Sequence, residues 1–313
     1  MVTIEKLIPR PCWMQDVPDD TPVTALSIPG THDAGCTSSV LGLGQTQSLG
    51  INDQLDVGIR FLDIRLAHYQ DNLFVHHDVV YTDNSYADVL ATCSKFLQKN
   101  PSETILMSIM EESRLDSWLG ALAPSEVLGA LYRGHLVTVG KKNTRCFEQA
   151  VKDKTWEVIG DAPLFYNFAA GPSDGEARTS TSAFTSETTL GDVRGKIVLL
   201  RRFEGCDDLG FDLTYWPRNQ TFTSATSPLY HVQDRYLGLT DDDKYNIIIA
   251  HLEAAKQGDP KDLYITFCSA VDLTARGYAQ TINPRLSDYL ATSPSGRVGI
   301  IVMDYFEDPP DLV

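Results

Sequence analysis

The chain has 313 residues and a net charge of −16, from 42 acidic against 26 basic side chains. That balance excludes nucleic acid as a partner, since phosphate binding needs basic stripes that displace counterions, and the lack of a polybasic cluster excludes charge-driven adsorption to anionic membranes. Hydrophobic residues make up 42% and charged residues 22%, the composition of a soluble globular protein with ample core, and no apolar run reaches the roughly 18 residues that a membrane span needs.

Taken in chain order, the N-terminus "MVTIEKLIPRPCWM" contains Glu5 and two prolines and no apolar stretch of signal-peptide length. The expectation is a secreted, extracellular chain if this is a mature form, with a cytoplasmic one as the alternative. Strands are predicted at 24–28 (TALSI), 59–65 (IRFLDIR), 72–77 (NLFVHH) and 104–110 (TILMSIM), and again at 196–203 (KIVLLRRF), 263–269 (LYITFCS) and 299–305 (GIIVMDY). Several are apolar almost throughout, the pattern of a parallel sheet covered on both faces. A helix is predicted after Ser85, where Asp88 completes a capping box and Pro101 supplies the stop, with Tyr86, Val89, Leu90, Cys93, Phe96 and Leu97 on one face. A second follows the acidic run that starts at Asp241, with Tyr245, Ile248, Ile249 and Leu252 at helical spacing. The Ser/Thr/Gly-rich stretch 169–195 reads as a long surface loop, so the chain is expected to be one domain over 1–313 with an extended surface region around 115–195. Alternating strands and helices point to an α/β barrel or a doubly wound sheet. Six cysteines lie far apart with no C-x-x-C pair, which argues against a zinc ribbon or thioredoxin-like site and leaves the redox compartment open.

The titratable residues cluster at the ends of the apolar runs. His32 and Asp33 follow "ALSIPGT", Asp63 and Arg65 end "IRFLDIR", His77 and Asp78 end "LFVHHD", Arg201 and Arg202 end "IVLLRR", and Asp304 ends "GIIVMD". In a parallel barrel the strand C-termini open on one face, and that face carries the active site. Two imidazoles, a guanidinium and carboxylates suit phosphoryl transfer by acid–base catalysis: one histidine accepts a proton from a nucleophilic hydroxyl and the other donates one to the leaving oxygen. The guanidinium meets the charge that builds on the phosphoryl oxygens. Such chemistry on a diester with a neighbouring hydroxyl needs no metal.

The segments "WMQDVPDDTPVTALSIPGTHDAG", "FLDIR", "VHHD", "NPSETILMSI", "LGDVRGKIVLLRRF", "YWPRNQTFT", "VQDRY", "INPRLSDYL" and "RVGIIVMDY" together resemble the bacterial phosphatidylinositol-specific phospholipase C family over nearly the whole chain. The resemblance implies a distorted, incompletely closed TIM (β/α) barrel. It implies His32 as general base on the inositol 2-hydroxyl, oriented by Asp304, and His77 as general acid assisted by Asp33. Arg65 would hold the phosphate, Arg202 and Asp234 would read inositol hydroxyls, and Tyr236 would lie against the ring. The products would be diacylglycerol and inositol 1,2-cyclic phosphate, hydrolysed slowly afterwards to inositol 1-phosphate.

Calcium-dependent relatives carry an acidic ligand where this chain has Arg65, so no metal and no other cofactor is expected, and Asp63 is expected to pair with a cation. The implied partner is phosphatidylinositol or a related inositol lipid, met through peripheral, transient membrane contact by a monomer. Two features depart from the family. Met110 stands where a lysine is common, and the stretches "SVLGLGQTQSLG" and "AVDLTARGYAQTINP", matching membrane-dipping rim loops, contain no tryptophan; Leu41 and Leu43 are the candidate substitutes. His76, on the opposite side of the strand from His77, reads as structural. The rival readings are a metal-dependent glycerophosphodiesterase or sphingomyelinase D, against which Arg65 speaks, and a catalytically silent inositol-lipid binder, against which the intact set of histidines speaks.

Overall fold

The computed structural model describes residues 7–37, 44–77, 80–112, 143–160, 163–168, 182–205, 209–270 and 275–313, with only the backbone of 77 and 80–83. The described strands are β1 (Ile28–Thr31), β2 (Phe61–Tyr69), β3 (Asn72–His77), β4 (Val80–Ser85), β5 (Ile105–Glu111), β6 (Ile197–Arg202), β7 (Phe211–Asp212), β8 (Gln220–Thr223), β9 (Tyr230–Asp234), β10 (Leu263–Phe267) and β11 (Ile300–Met303). The α-helices are α1 (Ile51–Asp56), α2 (Tyr86–Lys99), α3 (Phe147–Ile159), α4 (Leu190–Val193), α5 (Asp241–Gln257) and α6 (Ala275–Thr292).

The eleven described strands join one curled sheet: nine follow the order β7-β6-β5-β2-β1-β11-β10-β9-β8, β3 pairs with β2 off this path and β4 with β3, and no described pairing joins β7 to β8, so the barrel stays open. From β7 to β9 every neighbouring pair is parallel, with β11 seated between β1 and β10.

Strand parity builds two cores. Leu62, Ile64, Ile105, Met107, Ile197, Leu199, Ile301 and Met303 face outward into a cluster that takes in the buried side of α2. Their alternates Phe61, Leu106, Val198, Leu200, Val232, Ile265, Ile300 and Val302 fill the barrel interior. Burying such side chains stabilises the fold by about 1.5–3 kcal/mol each, and because both faces are covered, both parities must be apolar. The helix after Ser85 buries the six expected residues, and its capping box forms with Asp88 N–H donating to Ser85 Oγ at 3.2 Å and Ser85 N–H to the Asp88 carboxylate at 2.9 Å.

Several expectations are corrected. The first strand does not cover 24–28; Val23–Ala25 is a 3-10 turn and β1 starts at Ile28, running through Pro29 and Gly30. Gly30 allows this, because a Cβ there would meet Phe61 Cβ and Cδ1 at 2.8 Å across the β1–β2 ladder. Strand 72–77 exists with those bounds but is antiparallel to β2, so it is a hairpin arm and not a barrel stave. Within 115–195 the described residues are not all surface: α3 buries Phe147, Ala150 and Val151, and Leu164, Phe165, Phe184, Leu190 and Val193 are also buried. Most of the supposed rim stretch 270–284 is α6, with Tyr278, Ala279, Ile282 and Asn283 buried. Asp78, Leu41 and Leu43 lie outside the described residues.

Candidate active site

The interior parity explains where the polar residues converge. Side chains alternate along a strand, so His32 continues the inward series of Ile28 and Gly30, Asp63 and Arg65 continue that of Phe61, and Asp304 that of Ile300 and Val302. Arg202 likewise follows Val198 and Leu200, and Asp234 follows Val232. The register pairs Asp63 with Ser108, and Met110 with both Arg65 and Arg202, so these residues form the top layer of the barrel, above its apolar filling.

At the centre, His32 Nδ1 lies 2.8 Å from Asp304 Oδ1, while His32 Nε2 lies 2.8 Å from Arg65 Nη2. A guanidinium only donates, so against Arg65 Nε2 presents its lone pair, with the proton on Nδ1 donated to Asp304. That is the tautomer a general base on the open side requires. Asp33 Oδ2 lies 3.2 Å from the same His32 Nε2, placed to accept once that nitrogen is protonated. Arg65 Nε reaches Asp33 Oδ1 at 3.1 Å and Asp63 Oδ2 at 3.2 Å. Arg202 Nη1 donates to Asp63 Oδ1 at 3.2 Å, and Ser108 Oγ approaches the same oxygen at 3.4 Å. His32 and Arg65 keep 11% and 16% of their side chains exposed, whereas Asp33 and Asp63 keep 0%; the imidazole and the guanidinium face the opening, and the carboxylates stand behind them.

Burial pushes Asp33 up to about 6, against the pull of Arg65 and His32. Burial would also raise Asp63, but Arg65 and Arg202 outweigh it and hold that carboxyl below its usual range. Burial opposes the charge of Arg65 too, yet Asp33 and Asp63 leave its pKa well above the ordinary arginine value. His32, Asp33 and Asp63 have donor atoms mutually within 4.8 Å, close enough to share a cation. The Arg65 guanidinium contacts all three and is that cation.

The backbone at the strand ends is locked by residues that sequence reasoning missed. Gln47 Nε2 donates to the carbonyls of His32 and Met303, each at 2.9 Å, bolting the top of β1 to the top of β11. Asn283 Nδ2 donates to the carbonyls of Asp304 and Tyr305 at 2.9 and 3.1 Å. Asp33 and Tyr305, each next to one partner of the His32–Asp304 pair, sit at φ of 42° and 43°, in the left-handed region that non-glycine residues seldom adopt.

Beyond Asp63 the site extends through Arg202, whose guanidinium lies 3.7 Å from the centroid of the Trp216 ring, a cation–π contact. Trp216 Nε1–H donates to Asp234 Oδ2 at 2.8 Å. Trp216 was visible beforehand only as part of "YWPRNQTFT", with no role attached. Tyr236 is half-buried, with Arg218 Nε 3.5 Å from its hydroxyl and Asn219 Oδ1 accepting its backbone N–H at 2.8 Å. For His77 the backbone alone is described: β3 folds back along β2 from the Tyr69–Asn72 pair to Leu66–Val75, and His77 ends it two residues further on. His76 is fully buried.

Comparison with known proteins identifies the family. The family described as "Phosphatidylinositol-specific phospholipase C, X domain" matches residues 20–154. A 1-phosphatidylinositol phosphodiesterase of Listeria monocytogenes is 30% identical over 94% of this chain and 81% of its own length. The chain belongs to the phosphatidylinositol-specific phospholipase C family. It is also similar to a 1-phosphatidylinositol phosphodiesterase of Staphylococcus aureus, 27% identical over 94% of this chain and 87% of that one. Among solved structures, a variant of the Staphylococcus aureus phosphatidylinositol-specific phospholipase C superposes with a TM-score of 0.74 at 25% identity, covering 94% of this chain and 91% of that chain. The fold is thus the open, distorted TIM barrel of the bacterial enzymes.

Proposed function

We propose that this protein cleaves phosphatidylinositol by intramolecular phosphoryl transfer, as a metal-independent phosphatidylinositol diacylglycerol-lyase. His32 Nε2 takes the proton of the inositol 2-hydroxyl, the 2-oxygen forms a bond to phosphorus, and the bond from phosphorus to the diacylglycerol oxygen breaks. His77 gives that oxygen its proton, with Asp33 assisting, and inositol 1,2-cyclic phosphate is released. Asp304 holds His32 in the Nδ1–H tautomer and supports the imidazolium that forms. Arg65 stabilises charge on the phosphoryl oxygens; on substrate binding its N–H moves from the His32 lone pair to the phosphate, which frees the base as it engages the anion. Arg202 and Asp234 read inositol hydroxyls and Tyr236 lies along the ring.

The observation that carries this reading is one guanidinium contacting His32, Asp33 and Asp63 together, so that a fixed cation stands where a metal would be recruited. The lipid is met by transient, peripheral contact, and the protein acts as a monomer, secreted if this is a mature chain, with the cytoplasm as the alternative. No described helix is long and apolar enough to cross a membrane. An assay on phosphatidylinositol with excess chelator, followed by phosphorus NMR, tests the whole reading. Full turnover with a cyclic phosphate product is expected, and activity lost to chelation and restored by a divalent cation would overturn the metal-free mechanism.

A further inference from the structure

Lys244, in the first turn of α5, is fully buried. A buried ammonium is costly unless it is paired and hydrogen-bonded, and among the described residues Lys244 makes no ion pair. Its Nζ donates at 2.7 Å to the carbonyl of Arg235, the residue between Asp234 and Tyr236. The charged and titratable groups acting on it are Asp234 and Arg235 at the end of β9, Cys268 after β10, and Asp304 after β11. The fields of two carboxylates of the site therefore reach it, that of Asp234 and that of Asp304, while its one described hydrogen bond is to the Arg235 carbonyl. An apolar side chain would fill the same volume without desolvating a charge, so packing gives no reason for the amine.

We propose that Lys244 is a positioning residue for head-group recognition: through the Arg235 carbonyl it seats Asp234 and Tyr236 relative to the His32–Asp304 pair. The proposal rests on the reading under Proposed function. Arg235 N–H also donates to Gln233 Oε1 at 2.7 Å, and Asn219 Oδ1 accepts from Tyr236 and Leu237 at 2.8 and 2.9 Å; these bonds fix the segment from the other side, so loss of Lys244 displaces the wall without unfolding it. Burial brings the amine down to about 8, within reach of ordinary assay conditions.

The test measures KM and kcat on phosphatidylinositol in mixed micelles across the range around that pH, alongside an NMR titration of the Lys244 side chain in the wild-type protein. KM is expected to rise as Lys244 loses its proton, with kcat changing much less. Lys244→Met should have a KM already raised by roughly tenfold, the worth of a hydrogen bond to a charged group, and no longer dependent on pH in that window. A wild-type KM that stays flat while Lys244 titrates overturns the proposal even if Lys244→Met fails to fold. So does a folded Lys244→Met with wild-type KM. A wild-type protein that cleaves no phosphatidylinositol at all instead removes the underlying reading.

Discussion

Arg65 makes three contacts that no lysine can reproduce, because an ammonium is a point charge while the guanidinium is a fork that bridges His32, Asp33 and Asp63. Arg65→Lys should therefore lower kcat by about 100-fold or more, the usual scale for removing a donor to developing oxyanion charge, with an unchanged circular dichroism spectrum; a rate within a few-fold of wild type would count against its role. Asp33 makes a separate prediction about stability. Burial pushes its pKa up to about 6 from the ordinary aspartate value of 3.8, so between those values the native state binds more protons than the unfolded chain, and stability falls as pH rises. Above the folded pKa the ionised, buried carboxylate burdens the fold most. Asp33→Asn should then raise Tm relative to wild type more at neutral pH than near pH 4, while impairing turnover; an equal shift at both would refute the assignment. At this scale His32, Asp33, Arg65, Arg202 and Asp304 stood out in the sequence because each ends an apolar run, whereas Asp234 was reached only through the family resemblance of "VQDRY". Gln47, Trp216 and Asn283 left no such mark, because an amide or an indole in a loop or helix becomes legible only when the carbonyl or carboxylate it reaches is known.

Along the elements, the apolar runs located most staves correctly, but not where each ends. β1 was placed too early, at 24–28, because the apolar run stops at Ile28, whereas the strand starts there and runs on through Pro29 and Gly30. Gly30→Ala should cost about 1–3 kcal/mol, the range for overpacking a filled core, as its Cβ would fall 2.8 Å from Phe61; urea unfolding measures it, and a neutral result would mean that the β1–β2 ladder gives way easily. The hairpin β2–β3 was missed for a different reason. Apolar content alone does not distinguish a barrel stave from an antiparallel arm, and the direction of a strand is fixed by the turn at Gln70 and Asp71, both at positive φ (49° and 60°). The alternation of inward and outward residues organises both the core and the site, but it leaves little mark in runs whose two parities are both apolar.

For the molecule as a whole, function and stability are kept at opposite ends of the barrel. Arg60, just ahead of β2, is fully buried and pairs with Glu103 at 2.8 and 2.9 Å while donating to the carbonyls of Leu55, Ile59 and Pro11. Glu103→Ala leaves that guanidinium without its counter-charge and should cost about 3–5 kcal/mol, whereas KM and kcat of the protein that remains folded should stay at wild-type values; altered kinetics would mean that the two ends are coupled. Open-barrel architecture was legible from strand–helix alternation only down to the choice between a barrel and a doubly wound sheet. Strand order settles it, and strand order depends on pairings hundreds of residues apart.

The slot between β1 and β10, filled by β11, has a consequence for how the protein comes into being. His32 and its carboxylate partner are 272 residues apart, and the partner arrives on the strand that must wedge between two others already laid down. A nascent polypeptide emerging from the ribosome therefore holds an imidazole without its counterpart until 272 further residues have been added. The buried pair is absent from every shorter, partly synthesised chain.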